Sequence, residues 1–142
     1  MKTVKQILHS KPSAIYSVSP RSSVYHALEI MMEKNISALL VMDGKVLYGI
    51  FTERDYARKI ALHGRSSKET AVEKVMTSDL LSVSLKDSID YCMKVMTSSH
   101  IRHLPVLENG EVYGMVSIGD VVKNIIESQK AAIEYLETYI VS

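Results

Sequence analysis

Apolar and polar residues follow two kinds of pattern along this chain, one typical of helices and one typical of strands, and the same order of patterns occurs twice. In its first occurrence, a short extended lead at 17–20 precedes an apolar stripe with the i, i+3, i+4, i+7 spacing of one helix face: Val24, Ala27, Leu28 and Met31. Two apolar runs, "SALLVM" and "VLYGIF", then flank the turn residues "DGK", which predicts a β-hairpin. A second helix is expected to begin at Thr52. The predicted order is strand, helix, strand, strand, helix.

The second occurrence follows 65 residues later. Residues 17–60 align with 82–125 without a gap, and twelve of the 44 positions are identical. The second helical stripe consists of Ile89, Cys92, Met93 and Met96, and Asn109-Gly110 is a strong hairpin signal. Candidate N-caps of the first helix are Ser22 or Ser23 in one copy and Asp87 or Ser88 in the other. Agreement of this extent indicates a duplicated structural unit.

One such unit is too small to cover its own sheet, so the two copies should pack together. The predicted fold is α/β (α+β), with two tandem β-α-β-β-α repeats related by pseudo-twofold symmetry, a short N-terminal helix and a long C-terminal helix. We expect a first repeat with the N-terminal helix at 1–62, a polar linker at 63–80, and a second repeat with the C-terminal helix at 81–142. The apolar stripe of the last helix either covers the body or pairs two chains: Val122, Ile125, Ile126, Gln129, Ile133, Leu136 and Ile140.

Composition narrows the function classes. The chain of 142 residues is 46% hydrophobic and 23% charged, with a net charge of +1, which argues against nucleic acid as a partner. A single cysteine, Cys92, permits no internal disulfide and fits a reducing compartment. No apolar run reaches the roughly 20 residues of a membrane span, and no signal-peptide core is present. We expect a cytoplasmic protein that binds no membrane.

Each repeat ends its second apolar run with a related phrase, "GIFTERD" at 49–55 and "GMVSIGD" at 114–120. Thr52 and Asp55, like Ser117 and Asp120, have the spacing of a capping box, which is a purely structural interpretation. The phrase also lies where a strand enters a helix, and the N–H groups and dipole of a helix start favour anions. A carboxylate there can accept two hydrogen bonds from a ribose diol. Both interpretations are compatible with the spacing.

The whole chain resembles a stand-alone tandem pair of CBS domains, called a Bateman module. The resemblance rests on "SVSPRSSVYHALEIM", "ISALLVMDGKVLYGIFTERDYARKI", "VEKVMT", "IRHLPVLENGEVYGMVSIGDVVKNII" and "LETYI". It implies that Thr52 and Asp55 hold the ribose of an adenine nucleotide in one site, and that Ser117 and Asp120 do so in the other. It also implies a disc-shaped homodimer of two modules.

The two predicted sites are not identical in sequence. Arginine can bond two phosphate oxygens at once, which makes Arg102 and Arg54 candidates for a phosphate-favouring region. His103, next to Arg102 in the sequence, is the third candidate. Ala38 stands where the second copy has His103 and would leave room for a base. Apolar strand residues should sandwich that base, and Val18 and Val83 are the candidates. Pro105 cannot donate to a sheet ladder, which predicts an edge or a bulge beside the ligand.

These observations predict a non-catalytic sensor of an adenine nucleotide, namely AMP, ATP, NAD(H) or a related adenosyl compound. We expect no catalytic cofactor and no metal, because His100 and His103 are too few ligands for a metal site. A regulatory role such as energy sensing would require an effector protein, which the sequence does not identify. Two alternatives remain open: an interaction and dimerisation module with empty clefts, and a small nucleotide-acting enzyme with His103 as its base.

Overall fold

The computed structural model of the chain describes residues 2–11 and 15–141. Its five helices and five strands follow the predicted mixed α/β order, except that the first strand predicted for the second repeat is only a single bridge. In chain order these elements are α1 (Val4–His9), β1 (Ser17–Val18), α2 (Val24–Lys34), β2 (Ala38–Asp43), β3 (Val46–Thr52), α3 (Glu53–Asp55), α4 (Ile89–Ser99), β4 (His103–Glu108), β5 (Glu111–Ser117) and α5 (Ile118–Val141). Helix α3 continues as a π-helix over Tyr56–Ala61, and a single 3-10 turn covers Val72–Lys74.

The chain forms two compact units. The first-repeat unit combines residues 14–81 with 109–113, and the second-repeat unit combines residues 1–13, 82–108 and 114–142. Helix α1 therefore belongs with the second repeat, although it precedes the first repeat in the sequence. The division into a first repeat that ends at residue 62 and a second repeat that begins at residue 81 stays a prediction.

The first-repeat unit is built on a three-stranded sheet in the order β1-β2-β3. Strand β1 runs parallel to β2, and β3 is antiparallel to β2, with a bulge between Val41 and Met42. Ser23 caps α2 by accepting a hydrogen bond from His26 N at 3.1 Å. The predicted helical stripe points inward: Val24, Ala27 and Met31 are buried, and Leu28 packs against them.

The second-repeat unit contains β4 and residues 114–117 of β5, which pair in a two-stranded sheet. Pro105 explains why the segment equivalent to β1 forms only a single bridge in this unit. In the first repeat, Leu40 N donates to Tyr16 O at 3.3 Å, and β1 pairs with β2 over two residues. Pro105 occupies the position equivalent to Leu40 and has no N–H to donate. The pairing is reduced there to one bridge between Val83 and Val106. Pro105 thus marks a weakened sheet edge, while a ligand beside it stays a prediction.

Helix α1 packs on the second repeat in the same way that residues 71–75 pack on the first. Val4 N donates to Asp87 O at 2.8 Å, and Val72 N donates to Ser22 O at 2.8 Å. The bridges Thr3–Ser88 and Ala71–Ser23 extend the correspondence. Each repeat is therefore completed by a segment that begins with valine and carries its apolar side chains into that repeat's core. The core of the second repeat contains Val4 and Ile7, and that of the first contains Val72 and Val75.

Helix α5 extends well past the core it helps to form. Its 24 residues correspond to a length of about 36 Å. Val121 and Asn124 are buried near its start, whereas the later apolar residues are largely exposed: Ile126 58%, Ile133 55%, Leu136 56% and Ile140 80%. The idea that this stripe covers the body is therefore wrong for these four side chains, because the helix continues beyond the elements it contacts. Within the described ranges, no helix combines the length and apolar character needed to cross a bilayer.

Candidate functional site

The hydroxyl and the carboxylate of the first repeated phrase form a reciprocal cap at the start of α3. Thr52 Oγ1 accepts a hydrogen bond from Asp55 N at 3.1 Å, and Asp55 Oδ2 accepts from Thr52 N at 3.0 Å. Thr52 Oγ1 also donates to the same carboxylate oxygen at 3.0 Å. The capping interpretation of the sequence is confirmed for this copy.

Two further side chains hold the other oxygen of Asp55. Thr77 Oγ1 donates to Asp55 Oδ1 at 3.0 Å, and Lys59 Nζ lies 3.1 Å from the same atom. Thr77 is itself fixed by two backbone hydrogen bonds with Ile50, at 2.8 and 2.9 Å. The Asp55 side chain is only 8% exposed. Both of its carboxylate oxygens are therefore engaged by the protein, which satisfies the strong requirement of a buried charge for partners.

The second phrase forms the equivalent cap at the start of α5 with a different counter-ion. Asp120 N donates to Ser117 Oγ at 3.1 Å, and Ser117 N donates to Asp120 Oδ2 at 2.9 Å. Lys11 Nζ donates to the same Oδ2 at 2.8 Å and to Met115 O at 2.9 Å. The Asp120 side chain is 23% exposed and the Lys11 side chain 33% exposed. This carboxylate is thus more open to solvent than Asp55 and is neutralised by a long, flexible side chain.

The electrostatics of the second-repeat unit keep Asp120 ionised. Partial burial alone would raise the pKa of Asp120, but the hydrogen bonds from Lys11 and from Ser117 N outweigh it and hold the pKa below its usual value. Burial lowers the pKa of His103; the Asp120 carboxylate opposes this shift, while Arg102 and Lys11 add to it. An anionic Asp120 therefore lies in the same electrostatic environment as three basic side chains.

The residues predicted to differ between the repeats lie beside the repeated phrase in each unit. Ala38 pairs with Thr52 across β2 and β3 and is 1% exposed. Ile118 N donates to Arg102 O at 2.8 Å, which brings the backbone of Arg102 next to the start of α5. Arg54 is exposed on α3 and belongs to the first-repeat unit. The grouping of Arg54 with Arg102 and His103 stays a prediction.

Val18 and Val83 are placed in the hydrophobic cores of their own repeats. Val18 is 5% exposed and Val83 is 3% exposed. Each lies on the extended lead that enters its sheet, paired with Val41 and Val106 respectively. Their contact with a base stays a prediction.

Sequence reasoning missed three side chains that the structure brings to the carboxylates: Lys11, Lys59 and Thr77. A signal for two of them exists in the sequence, because "VKQIL" at 4–8 and "VEKVM" at 72–76 are similar segments 68 residues apart. Comparing those segments places both Thr77 and Lys11 shortly after a matching segment, although the offset aligns Thr77 with His9 and Lys11 with Asp79. Lys59 follows Asp55 by four residues, the spacing of neighbours on one helix face.

Metal ligation is a separate question from nucleotide binding. Across residues 2–11 and 15–141, no three His, Cys, Asp or Glu side chains come together as a set that could hold a metal ion. His103 has Asp120 as its acidic neighbour, and one carboxylate with one imidazole falls short of the three or four ligands of a zinc site.

A family model for the CBS domain matches residues 4–62 and again residues 72–127. The chain belongs to the CBS-domain family. It is a tandem CBS pair, as the internal repeat indicates. A solved protein with CBS domains from Burkholderia ambifaria MC40-6 is 50% identical, with a TM-score of 0.87 over 90% of this chain and 96% of that one.

Two further CBS proteins bear on function. The mitochondrial CBS domain-containing protein CBSX3 of Arabidopsis thaliana is 41% identical over 123 residues; the match covers 83% of this chain but only 60% of the plant protein. The CBS domain pair of protein MJ0100 is 25% identical, with a TM-score of 0.78 over 90% of this chain and 98% of that one. That pair was solved in complex with 5′-methylthioadenosine and S-adenosyl-L-methionine.

Proposed function

We propose that this CBS pair is a non-catalytic regulatory module that binds an adenosine-containing ligand: AMP, ATP, NAD(H) or an adenosyl compound. One observation carries the proposal. Each repeat holds a carboxylate and a hydroxyl together at a strand-to-helix junction, as Asp55 with Thr52 and Asp120 with Ser117. A carboxylate in that position can accept both hydrogen bonds of a ribose diol. The adenosyl ligands of the MJ0100 pair support the same ligand class.

A phosphate or other anionic group of the ligand would be held on the side of the second repeat. Arg102 immediately precedes β4, and its carbonyl is bonded to the start of α5. A guanidinium there can bond two phosphate oxygens, and His103 adds a donor that is neutral near pH 7 because burial lowers its pKa. The third predicted phosphate contact, Arg54, belongs to the first-repeat unit and stays a prediction.

The regulatory output would be a change in conformation or association. A ligand shifts an equilibrium between two states only by the difference in its affinity for them, so the output depends on contacts that one state makes and the other lacks. An effector protein in the cytoplasm would detect that change.

We further propose that the chain forms a homodimer and that α5 takes part in it. The exposed residues Ile126, Ile133 and Ile140 recur every seven positions, and Leu136 follows Ile133 by three. This is the a and d pattern of a two-stranded coiled coil, with Gln129 as one polar d position. Sedimentation of wild type beside a Leu136→Glu variant tests it: a wild-type dimer that dissociates in the variant supports the proposal, and a wild-type monomer rejects it.

A thermal-shift panel tests ligand binding. Wild type, Asp55→Ala and Asp120→Ala would each be heated with AMP, ADP, ATP, NAD⁺, NADH and S-adenosylmethionine. A ligand at one hundred times its Kd stabilises the native state by about 2.7 kcal/mol. That corresponds to a Tm rise of roughly 5–11 °C for a chain of this size. A rise for one or two ligands that disappears in an aspartate variant supports the proposal, and unchanged Tm values with all six reject it.

A protein-interaction module is the second candidate function, and the exposed apolar side of α5 is the observation that favours it. It predicts partner binding that survives both aspartate substitutions unchanged. A nucleotide-acting enzyme is a weaker candidate; it predicts nucleotide turnover that is lost on His103→Ala.

A further inference from the structure

Equivalent acceptor residues are bonded in both repeats, but by different groups and at different aspartate oxygens: Oδ1 of Asp55, and Oδ2 of Asp120, which also accepts from Ser117 N. In the first-repeat unit, Thr77 N donates to Ile50 O at 2.8 Å and Thr77 Oγ1 donates to Asp55 Oδ1 at 3.0 Å. Met115 and Asp120 are the equivalents of Ile50 and Asp55. In the second-repeat unit, the ammonium of Lys11 alone bonds both, at 2.9 Å to Met115 O and 2.8 Å to Asp120 Oδ2.

The groups that bond the two carboxylates, Thr77 and Lys11, differ in how easily they can move away. Thr77 is held by a backbone bridge to Ile50 with a hydrogen bond in each direction, so moving its hydroxyl means breaking that bridge. Lys59 adds a second donor to the same oxygen of Asp55. Lys11 reaches its acceptors through four flexible methylene groups, and rotation of its side chain frees both acceptors without moving the sheet.

Solvent access differs in the same direction. The Asp55 side chain is 8% exposed, whereas Asp120 is 23% exposed and its partner Lys11 33%. An incoming hydroxyl can therefore approach Asp120 while the ion pair is still formed. An ion pair that is partly open to solvent stabilises a fold only weakly, so a ribose diol that donates two hydrogen bonds can compete with it.

We propose that Lys11 is a displaceable plug of the ligand site at Asp120, and that Thr77 keeps the site at Asp55 closed. The adenosyl ligand's ribose hydroxyls replace the ammonium on Asp120, so the chain binds one such ligand and not two. This inference rests on the proposed adenosyl-binding function. It adds that Asp120, and not Asp55, binds the ribose, and that competition with the Lys11 ammonium sets the affinity for the ligand.

Calorimetric titration of the whole chain with adenosine tests the plug, with AMP titrated in parallel. Adenosine carries no charge, so its binding reports the competition with Lys11 and not an attraction between Lys11 and phosphate. The variants are Lys11→Met, Lys11→Arg and Asp120→Asn. Lys5→Met is the matched control, because Lys5 is an exposed lysine on α1 and its loss changes the net charge equally.

We expect one adenosine per chain and a Kd about two- to ten-fold lower in Lys11→Met, because the competing ion pair is gone. Lys5→Met should match wild type, Lys11→Arg should not bind more tightly than wild type, and Asp120→Asn should lose binding. Higher salt should tighten adenosine binding to wild type, since it screens the ion pair, and should have little effect on Lys11→Met.

Several outcomes overturn the inference. Weaker binding in Lys11→Met would make Lys11 a ligand contact, and two adenosines per chain would show that Thr77 does not close the site at Asp55. Binding that Asp120→Asn abolishes but Lys11→Met leaves unchanged would refute the plug and leave the proposed function standing. If neither wild type nor any variant binds adenosine or AMP, the plug is refuted, and the six-ligand thermal-shift panel decides separately whether the proposed function stands.

Discussion

Replacing Gly49 by alanine is the sharpest test of how the first repeat is assembled. A Cβ at this position would lie 2.7 Å from Thr77 O and 2.8 Å from Met76 Sδ. The first of these atoms is backbone and cannot rotate away. It is also the acceptor for Ile50 N at 2.9 Å, so the methyl group would push against the bridge that fixes Thr77.

The expected loss in the free energy of unfolding follows from the contacts that the new methyl group disturbs. Overpacking of this kind destabilises a native state by about 1–3 kcal/mol. Weakening the two hydrogen bonds between Ile50 and Thr77 adds about 1 kcal/mol. We therefore expect Gly49→Ala to lower the free energy of unfolding by about 2–4 kcal/mol, which corresponds to a fall in Tm of roughly 4–16 °C.

Urea unfolding followed by circular dichroism measures the change, with Gly119→Ala as the control. A Cβ at Gly119 would meet only Ser117 Oγ, at the ordinary contact distance of 3.6 Å, and alanine favours a helix by up to about 1 kcal/mol over glycine. Gly119→Ala should therefore be neutral or stabilising. A loss below about 0.5 kcal/mol in Gly49→Ala, the range of ordinary surface changes, would refute the close packing of 76–77 on this strand.

Three further results are expected. Ser88 Oγ accepts from Tyr91 N at 3.0 Å, so Ser88→Ala should lower the free energy of unfolding by about 1 kcal/mol in urea titrations; an unchanged midpoint would contradict its role as the cap of α4. Burial, with a smaller contribution from Asp87, raises the pKa of Cys92 to about 11, so the native chain should react with Ellman's reagent at pH 8 only after denaturant is added. Burial lowers the pKa of His103, so its contribution to stability is complete above the unfolded value of 6.5 and is lost as pH falls through the lower folded value. His103→Gln should flatten that part of the stability profile, and an equally steep decline would count against the assignment.

The duplicated architecture could be predicted because its signals are local. The helical stripes, the hairpin turns and the caps at Ser23 and Ser88 each depend on residues within one turn or hairpin, and comparing the two copies reinforced every one of them. The capping role of Thr52 and Asp55 was predictable for the same reason. Strong local consistency within a repeat is what makes such a fold readable from one sequence.

The long-range features could not be predicted in this way. The apolar face of α1 shows that the helix packs on something, but Val4 contacts the second repeat through Asp87, and only the three-dimensional structure supplies that partner. The bond between Lys11 and Asp120 joins residues separated by 109 positions, and a lysine in a polar segment carries no signal of its acceptor. The outward direction of the α5 stripe likewise depends on where its neighbours end.

The position of α1 has a consequence for how the chain is made. The core cluster of the first repeat is drawn from residues 16–76, so that cluster can assemble while the ribosome is still producing the remainder. The second repeat needs α1 as well as the residues that follow the first repeat, because Lys2 bonds Asn124 and Val4 lies in its core. Contacts of such sequence separation form slowly. Residues 2–8 therefore cannot pack until residues 83–125 have been made, so the second repeat is completed later than the first.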